Sequence, residues 1–366
     1  MNQYSLLSKG MVATMLAQFF SAFADNAIFF AILAFINNLH YPAWSRSILQ
    51  ISFVLPFIIL SPFVGQFADS MSKGKAMMIS NSMKLLGAGC ICLNISPFIG
   101  YFLIGIGAAA YSPAKYGILG ELTTGDNLVK ANGLIEASTI AAILLGSLAG
   151  GHIADLNVSI SILICVLMYG LAIIANLFIP KLPAARQNIP WQFMVMIKDF
   201  ANTIKIIFTD KQVSFTLFGT SLFWGAGITL RFLLISWVPA ILDIHDNATP
   251  TNLNAIVAIG IVIGAGLAST FISIYILLII IGALGGFFLV PLNAFIQKIG
   301  KDLVGAGSII SVQNLSEYTA MMLMLGLYTL AVYLNLSVIT IGVGFGSLFA
   351  IVIFLLWLGL RKNATN

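Results

Sequence analysis

Residues 11–36 run for 26 positions with a single ionisable side chain, Asp25, at the fifteenth. About 20 apolar residues in a helix cross the ~30 Å hydrocarbon core of a bilayer, so this stretch reads as a membrane helix with a carboxylate at its middle. A charge at that depth costs several kcal/mol unless it is paired or faces water, which makes Asp25 a functional candidate in its own right. Gln18, two turns before it, and Phe29, one turn after, share its face, so a polar and aromatic face turned toward a cavity is expected. Lys9, the apolar run and Ala22-Phe23-Ala24 also imitate a secretory signal with its cleavage site. The apolar run continues for eleven residues past Asp25, more than a cleaved signal needs, so an uncleaved first helix is expected.

The remainder of the chain has the same character. Sixty per cent of residues are hydrophobic and 8% are charged, against about a quarter charged in soluble domains. The fold class that follows is an all-α polytopic membrane protein. Further spans fall near 48–67, 76–95, 97–121, 132–154, 157–180, 213–242, 306–333 and 337–360. Residues 1–180 form a six-helix bundle on this reading, 181–212 a basic linker, and 213–366 a second bundle. The linker carries five cations against two anions and contains an interfacial helix over 191–208. The net charge of +5 comes from cations scattered between spans, a pattern that argues against a nucleic-acid partner. Cys90, Cys92 and Cys165 lie inside spans without metal-ligand spacing, and no metal or cofactor is called for.

Orientation follows from Lys and Arg in the loops. Lys9, Lys73, Lys75, Lys130, the linker cluster, Lys298, Lys301, Arg361 and Lys362 fall on one side and only Arg46 on the other, which predicts a cytoplasmic N-terminus. Two bundles joined by a basic cytoplasmic linker are the layout of a major facilitator transporter, whose site lies at the midplane between its halves. In the loop after the second span, Gly65, Asp69, Gly74 and Lys75 resemble the facilitator signature, with one extra residue and Ser70 where a cation is usual. A second Gly-x-x-Ala-Asp, Gly151 to Asp155, follows span five as the first follows span two, as a three-plus-three inverted repeat requires.

Residues 254–297 contain no charge. As one helix through Ile299 the block would be about 69 Å long, more than twice the hydrocarbon thickness. Two crossings fit its length, yet Lys298 and Lys301 belong on the cytoplasmic side, which demands an odd number. The expectation is a C-terminal half lacking about one helix, lost near Leu267 to Ser273, so that the bundle is shortened between about 267 and 275. An inverted C-terminal half or a long bent helix remain alternatives.

Within the spans lie Asp25, Lys84, Lys115, Glu136, Arg231 and Glu317, three negative and three positive, with Glu121 near a span end. Counting about 1.5 Å per residue puts Asp25 and Arg231 at similar depths on the first helices of the two halves, so they are expected to meet across a central cavity as an outer gate. Lys115, in YSPAKYG where Pro113 frees a carbonyl, Glu136 and Glu317 form an inner gate on the same reading. Static pairs holding helices in register are the alternative. Lys84 has no evident partner and reads as packing or snorkelling. Asn26, Asn293 and Asn314 are candidates for bonds between helices, and Gly-rich GIVIGAG and GALGGFF for close helix packing.

The words QFFSAFADNA, GAAAYSPAKYGILGELTTGDNLVKANGLIEASTIAAILLGSLAGG, GTSLFWGAGITLRFLL, DNATPTNLNAIVAIG and GGFFLVPLNA resemble the bacterial lysophospholipid transporters, almost end to end. The resemblance implies a major facilitator of the Gram-negative inner membrane that moves lysophosphatidylethanolamine and lysophosphatidylglycerol from the outer to the inner leaflet. A cytoplasmic acyltransferase with acyl carrier protein synthetase activity is the implied partner. The family's charged cavity positions fall on Asp25, Asn26, Lys115, Glu136 and Arg231. The chain departs from it after GIVIGAG, where the family has a further helix and loop. An anionic phosphate suits Arg231 or Lys115, with an apolar wall for the acyl chain. Three other readings are a drug antiporter using Asp25 as proton carrier, a membrane-bound acyltransferase and a non-transporting anchor. The acyltransferase's His and Asp four residues apart are missing, since Ser45, Asn157 and Pro250 stand five positions after His40, His152 and His245.

Overall fold

A computed structural model of the chain describes residues 8–123, 126–184, 192–264, 292, 293, 296 and 303–364. Hydrocarbon offers the backbone no water, so each crossing segment must satisfy its own N–H and C=O groups, and the described elements are all helices. They are α1 (Lys9–Asn38), α2 (Ser45–Asp69), α3 (Lys73–Cys92), α4 (Pro97–Leu122), α5 (Asp126–Leu156) and α6 (Val158–Leu177), then α7 (Phe193–Thr209), α8 (Lys211–Trp237), α9 (Ala248–Gly264), α10 (Ala306–Tyr333) and α11 (Val338–Ala364). A five-residue π-turn, Val238–Leu242, continues α8.

The helix ends are written in local chemistry. Ser8, Ser96 and Asn157 each accept a hydrogen bond from the backbone N–H three residues on, at 3.3, 3.4 and 3.0 Å, and so start α1, α4 and α6. His40, Asn94 and Asn335 have φ of 57°, 56° and 55° just past the ends of α1, α3 and α10, the left-handed stop that Asn adopts more readily than most residues.

Seven stretches among the described residues, in α1, α2, α4, α5, α6, α8 and α10, are long and apolar enough to cross a membrane. The expected span 76–95 is the shorter and more polar α3, since Ser80, Asn81 and Lys84 make up part of its buried face at 1%, 0% and 2% exposure. Pro113 does not break α4. A helix does stand where one was expected over 191–208: it is α7, with Phe193 and Met194 exposed, Ile207 buried, and the Phe193 ring stacked on Phe63 at 4.6 Å. The charge-free block contributes α9 as far as Gly264, and the expected loss near 267–273 lies outside the described residues.

Within the first six helices α1 packs on α5 and α6 as α4 packs on α2 and α3. That symmetry is the one an inverted three-helix repeat generates. In the later group α8 packs on α10, and the two groups meet through α2 against α10 and α5 against α9. The end holding the α2–α3 loop and α7 is called the linker end below, and the opposite one the far end.

Candidate functional site

Asp25 lies on α1 where α3 and α6 converge. Lys84 Nζ on α3 stands 2.6 Å from its Oδ2, and the Tyr169 hydroxyl on α6 donates to its Oδ1 at 2.8 Å. Lys84 Nζ also donates to Ser21 Oγ at 2.9 Å, Ser21 donates to Asn81 Oδ1 at 2.8 Å, and the Tyr111 ring lies 5.0 Å from the ammonium. The Lys84 side chain is 2% exposed and that of Asp25 19%. Two charges taken out of water are tolerable only when paired and further hydrogen-bonded, and both conditions are met.

This corrects two expectations. Asp25 pairs with Lys84 within the first group of helices rather than with Arg231 across the seam, and Lys84, expected to pack or snorkel, is the ion's partner. Lys84 is twelfth of the 20 residues of α3 and Asp25 seventeenth of the 30 of α1, so both sit beside their helix midpoints. Depth therefore offered Asp25 two cations, and packing chose. Arg231 instead projects from α8 onto α1, with its guanidinium carbon 5.5 Å from the Phe29 ring centroid and 5.8 Å from that of Phe30. Desolvated contacts of this kind contribute on the order of 2 kcal/mol. Among the described residues Arg231 forms no salt bridge. Asn26 turns its amide back to Ala22 O on its own helix at 2.9 Å.

A second polar group lines the seam between α4 and α10. Asn314 Nδ2 donates to Ser112 Oγ at 3.1 Å, and Tyr318 stacks on Phe57 of α2 with centroids 3.7 Å apart. Glu317, 7% exposed, accepts from Gln313 Nε2 at 2.8 Å, and the same amide donates to Asn293 Oδ1 at 2.9 Å. Lys115, also 7% exposed, holds its ammonium 4.2 Å from the Tyr116 ring centroid. Glu136 lies on α5, and its side chain is outside the described residues.

The two Gly-x-x-Ala-Asp segments make matching closures at opposite ends of the seam. At the linker end a Cβ on Gly65 would stand 3.3 Å from Ser311 Oγ, and a Cβ on Gly307 would stand 3.6 Å from Asp69 Oδ2, which sets that carboxylate against the first turn of α10. A carboxylate is stabilised by the partial positive charge of a helix N-terminus. Asp69 is also ion-paired with Lys73, whose Nζ donates to Ala68 O at 2.9 Å. Lys73 is thus the motif's paired cation, while Lys75 is exposed and Gly74 packs against Ile179.

At the far end Asp155 caps α9 outright. Its Oδ1 accepts from Asn247 N and Nδ2 at 2.9 and 2.8 Å, and its Oδ2 accepts from Ala248 N at 2.8 Å. A Cβ on Gly151 would lie 2.5 Å from Thr251 Oγ1, so only glycine allows this approach. Losing such a cap costs about 1 kcal/mol. Asp155→Ala is therefore expected to raise the open-to-closed ratio of the far end about five-fold. Spin labels at Ile160 and Ile241 in a cysteine-free background report it as a growing long-distance population, and an unchanged distribution would show that the cap does not hold this end shut.

The sequence matches the family model of the Major Facilitator Superfamily over residues 14–356. Proteins named lysophospholipid transporter LplT are similar to it along nearly their whole length. Those of Klebsiella pneumoniae subsp. pneumoniae and Escherichia coli (strain SE11) are 54% identical, and that of Enterobacter sp. (strain 638) is 56% identical, over 98% of this chain and 98% of theirs. The matched length, 388 residues, exceeds the whole chain of 366, so these relatives carry at least 22 positions that it lacks. That is enough for one crossing. Among solved structures, a POT family transporter in complex with 5-aminolevulinic acid superposes with a TM-score of 0.74 at 14% identity, covering 100% of this chain and 99% of its own. The nucleoside transporter NupG superposes at 0.64 and 12% identity, over 98% of this chain and 98% of its own. The fold, the paired seam closures and the match over residues 14–356 agree, and the chain belongs to the Major Facilitator Superfamily, an all-α polytopic membrane fold here about one helix shorter than its relatives.

Proposed function

We propose that the protein carries lysophospholipids, lysophosphatidylethanolamine and lysophosphatidylglycerol among them, from the outer to the inner leaflet of the bacterial inner membrane by alternating access. The observation that carries this reading is the identity of 54–56% with lysophospholipid transporters over 98% of the chain. Membership of a transporter superfamily points to transport rather than catalysis. The linker end is cytoplasmic on this reading, because among the described residues the cations at helix ends and in loops gather there, Arg46 excepted. Residues 1–180 and 213–366 are the two moving bundles, and the Asp69 and Asp155 closures release in turn.

Arg231 is the phosphate ligand at the midplane. Its charge is held by aromatic faces that a phosphate can displace without leaving a carboxylate unpaired. Lys115, Glu136, Glu317 and Asn26 contribute to the path toward the cytoplasm, and a cytoplasmic acyltransferase then re-acylates the product. The test is uptake and re-acylation of headgroup-labelled lysophosphatidylethanolamine in cells supplying that acyltransferase, with the chain's presence in the membrane confirmed. Uptake that falls at least ten-fold in Arg231→Ala supports the reading, and full activity in that variant would refute the role of Arg231. The 22 or more absent positions favour a second reading, a non-transporting remnant. No uptake, restored by inserting a relative's helix after Leu267, would establish it.

A further inference from the structure

Among the described residues Arg46, in the first turn of α2, is the one Lys or Arg at the far end. It heads a cleft of about 330 Å³ where the start of α2 meets α8, α10 and α11, so both halves of the molecule line it. Its Nε donates to Asn37 Oδ1 at 3.1 Å, and among the described residues that is the side chain's single hydrogen bond. A guanidinium has five N–H donors, so the terminal fork remains for a ligand. Among the described residues no Asp or Glu lines the cleft to neutralise it. Opposite lie Ser236 and Tyr328, whose hydroxyls are 2.5 Å apart, and the walls are apolar, with Leu233, Val332 and Leu336 among them.

We propose that this cleft is a docking subsite for the phosphate of a single-chain amphiphile in the outer leaflet, occupied before the phosphate reaches Arg231. The proposal rests on the transport reading for its place in the path. A planar fork pairs with two phosphate oxygens at once, and one side chain suffices where no described carboxylate competes for the fork. The volume is at the lower end of ligand pockets, about 300–1,000 Å³, so it takes a headgroup and leaves the acyl chain outside. The adjoining surface of α11 suits that chain, with Ile339 and Val343 each 64% exposed. Ser236 in the floor follows Arg231 by five residues on α8, about 7.5 Å along the axis, and Tyr328 also donates to Phe232 O at 3.1 Å. The two cations thus stand at successive depths of one seam, and opening the far end joins them.

The test uses the full chain in vesicles, with headgroup-labelled lysophosphatidylglycerol as substrate and monoacylglycerol, which has the same chain without phosphate, as competitor. Arg46→Gln is expected to raise the apparent KM roughly ten-fold with kcat within about two-fold, and Arg46→Lys to regain part of the loss. Leu336→Trp, which fills the cleft and leaves the charge, is expected to raise KM as well. Inhibition by monoacylglycerol should not change in Arg46→Gln. An unchanged KM in Arg46→Gln, or an equal shift for lysolipid and monoacylglycerol, would overturn the subsite. Equilibrium binding of lysophosphatidylglycerol, read by tryptophan fluorescence, separates this inference from the transport reading. A ten-fold weaker Kd in Arg46→Gln supports the subsite even if the wild type moves no lipid, a result that sinks transport alone, and an unaltered Kd rejects the subsite.

Discussion

Lys84→Ala is expected to be among the most destabilising single substitutions in the molecule, at about 3 kcal/mol, because it strands the largely buried Asp25 with only the Tyr169 hydroxyl. Asp25→Ala should cost a similar amount by stranding the ammonium, which is 2% exposed. Removing both charges in Asp25→Ala/Lys84→Ala leaves no unpaired ion, so the double variant should lose markedly less than the two single losses together. Exchange of the pair, Asp25→Lys with Lys84→Asp, is expected to recover part of the stability, whereas exchange of Asp25 with Arg231 should recover none. Thermal unfolding in detergent measures all of these, and additive losses would show that the pair does not act as a unit. Transport is a separate readout. Loss of uptake in a variant that keeps its melting temperature would give Asp25 a role beyond holding α1, α3 and α6 together.

Gly150→Ala should be at least as damaging by another route. A Cβ there would stand 2.4 Å from Ala27 O and 2.7 Å from Ala27 Cα, and one turn away a Cβ on Gly146 would stand 2.4 Å from Phe23 O. The obstacles are backbone atoms, which no rotamer can move, so α1 and α5 would have to separate. In lipid, helices gain stability chiefly from close packing, and small residues at the contact permit it. Phe23 and Ala27 flank Asp25 on α1, so the displacement also disturbs the ion pair. The expected result is loss of monodisperse protein on extraction, or a fall of more than about 3 kcal/mol where it survives. Gly170→Ala is the control. A Cβ there meets nothing within 4 Å in the interior of α6, so it should be neutral or stabilising by up to about 1 kcal/mol. Equal effects at the two positions would mean that helix propensity, not approach, governs these glycines.

Much of the architecture was legible because each crossing is a local problem. The span expected at 97–121 is α4 over Pro97–Leu122, and that expected at 306–333 is α10 over Ala306–Tyr333. The helix of the linker, α7, and the repeated Gly-x-x-Ala-Asp were visible for the same reason, since an amphipathic period and a five-residue word need no knowledge of neighbours. What those words do was not visible. Asp155 bonds to Asn247 and Ala248, more than ninety residues away, and the linker-end signature pairs Asp69 with Lys73, although Lys75 matched the pattern.

The residues at the site divide the same way. The sequence alone determined that this is a helical membrane protein and that Asp25 stands at the middle of its first apolar helix, where it must be paired or face water, because hydrocarbon tolerates no lone carboxylate. Only the tertiary structure decided that the partner is Lys84, that Tyr169 holds the other oxygen and that Arg231 lies against Phe29 and Phe30. The reason is geometric. Position along a chain gives depth in the membrane and spacing around one helix, while a pair also needs two helices brought side by side with the right faces together. Three cations within the spans offered themselves to three anions, two of those cations at the depth of Asp25, and the packing of α1 against α3 and α6 made the choice for Asp25.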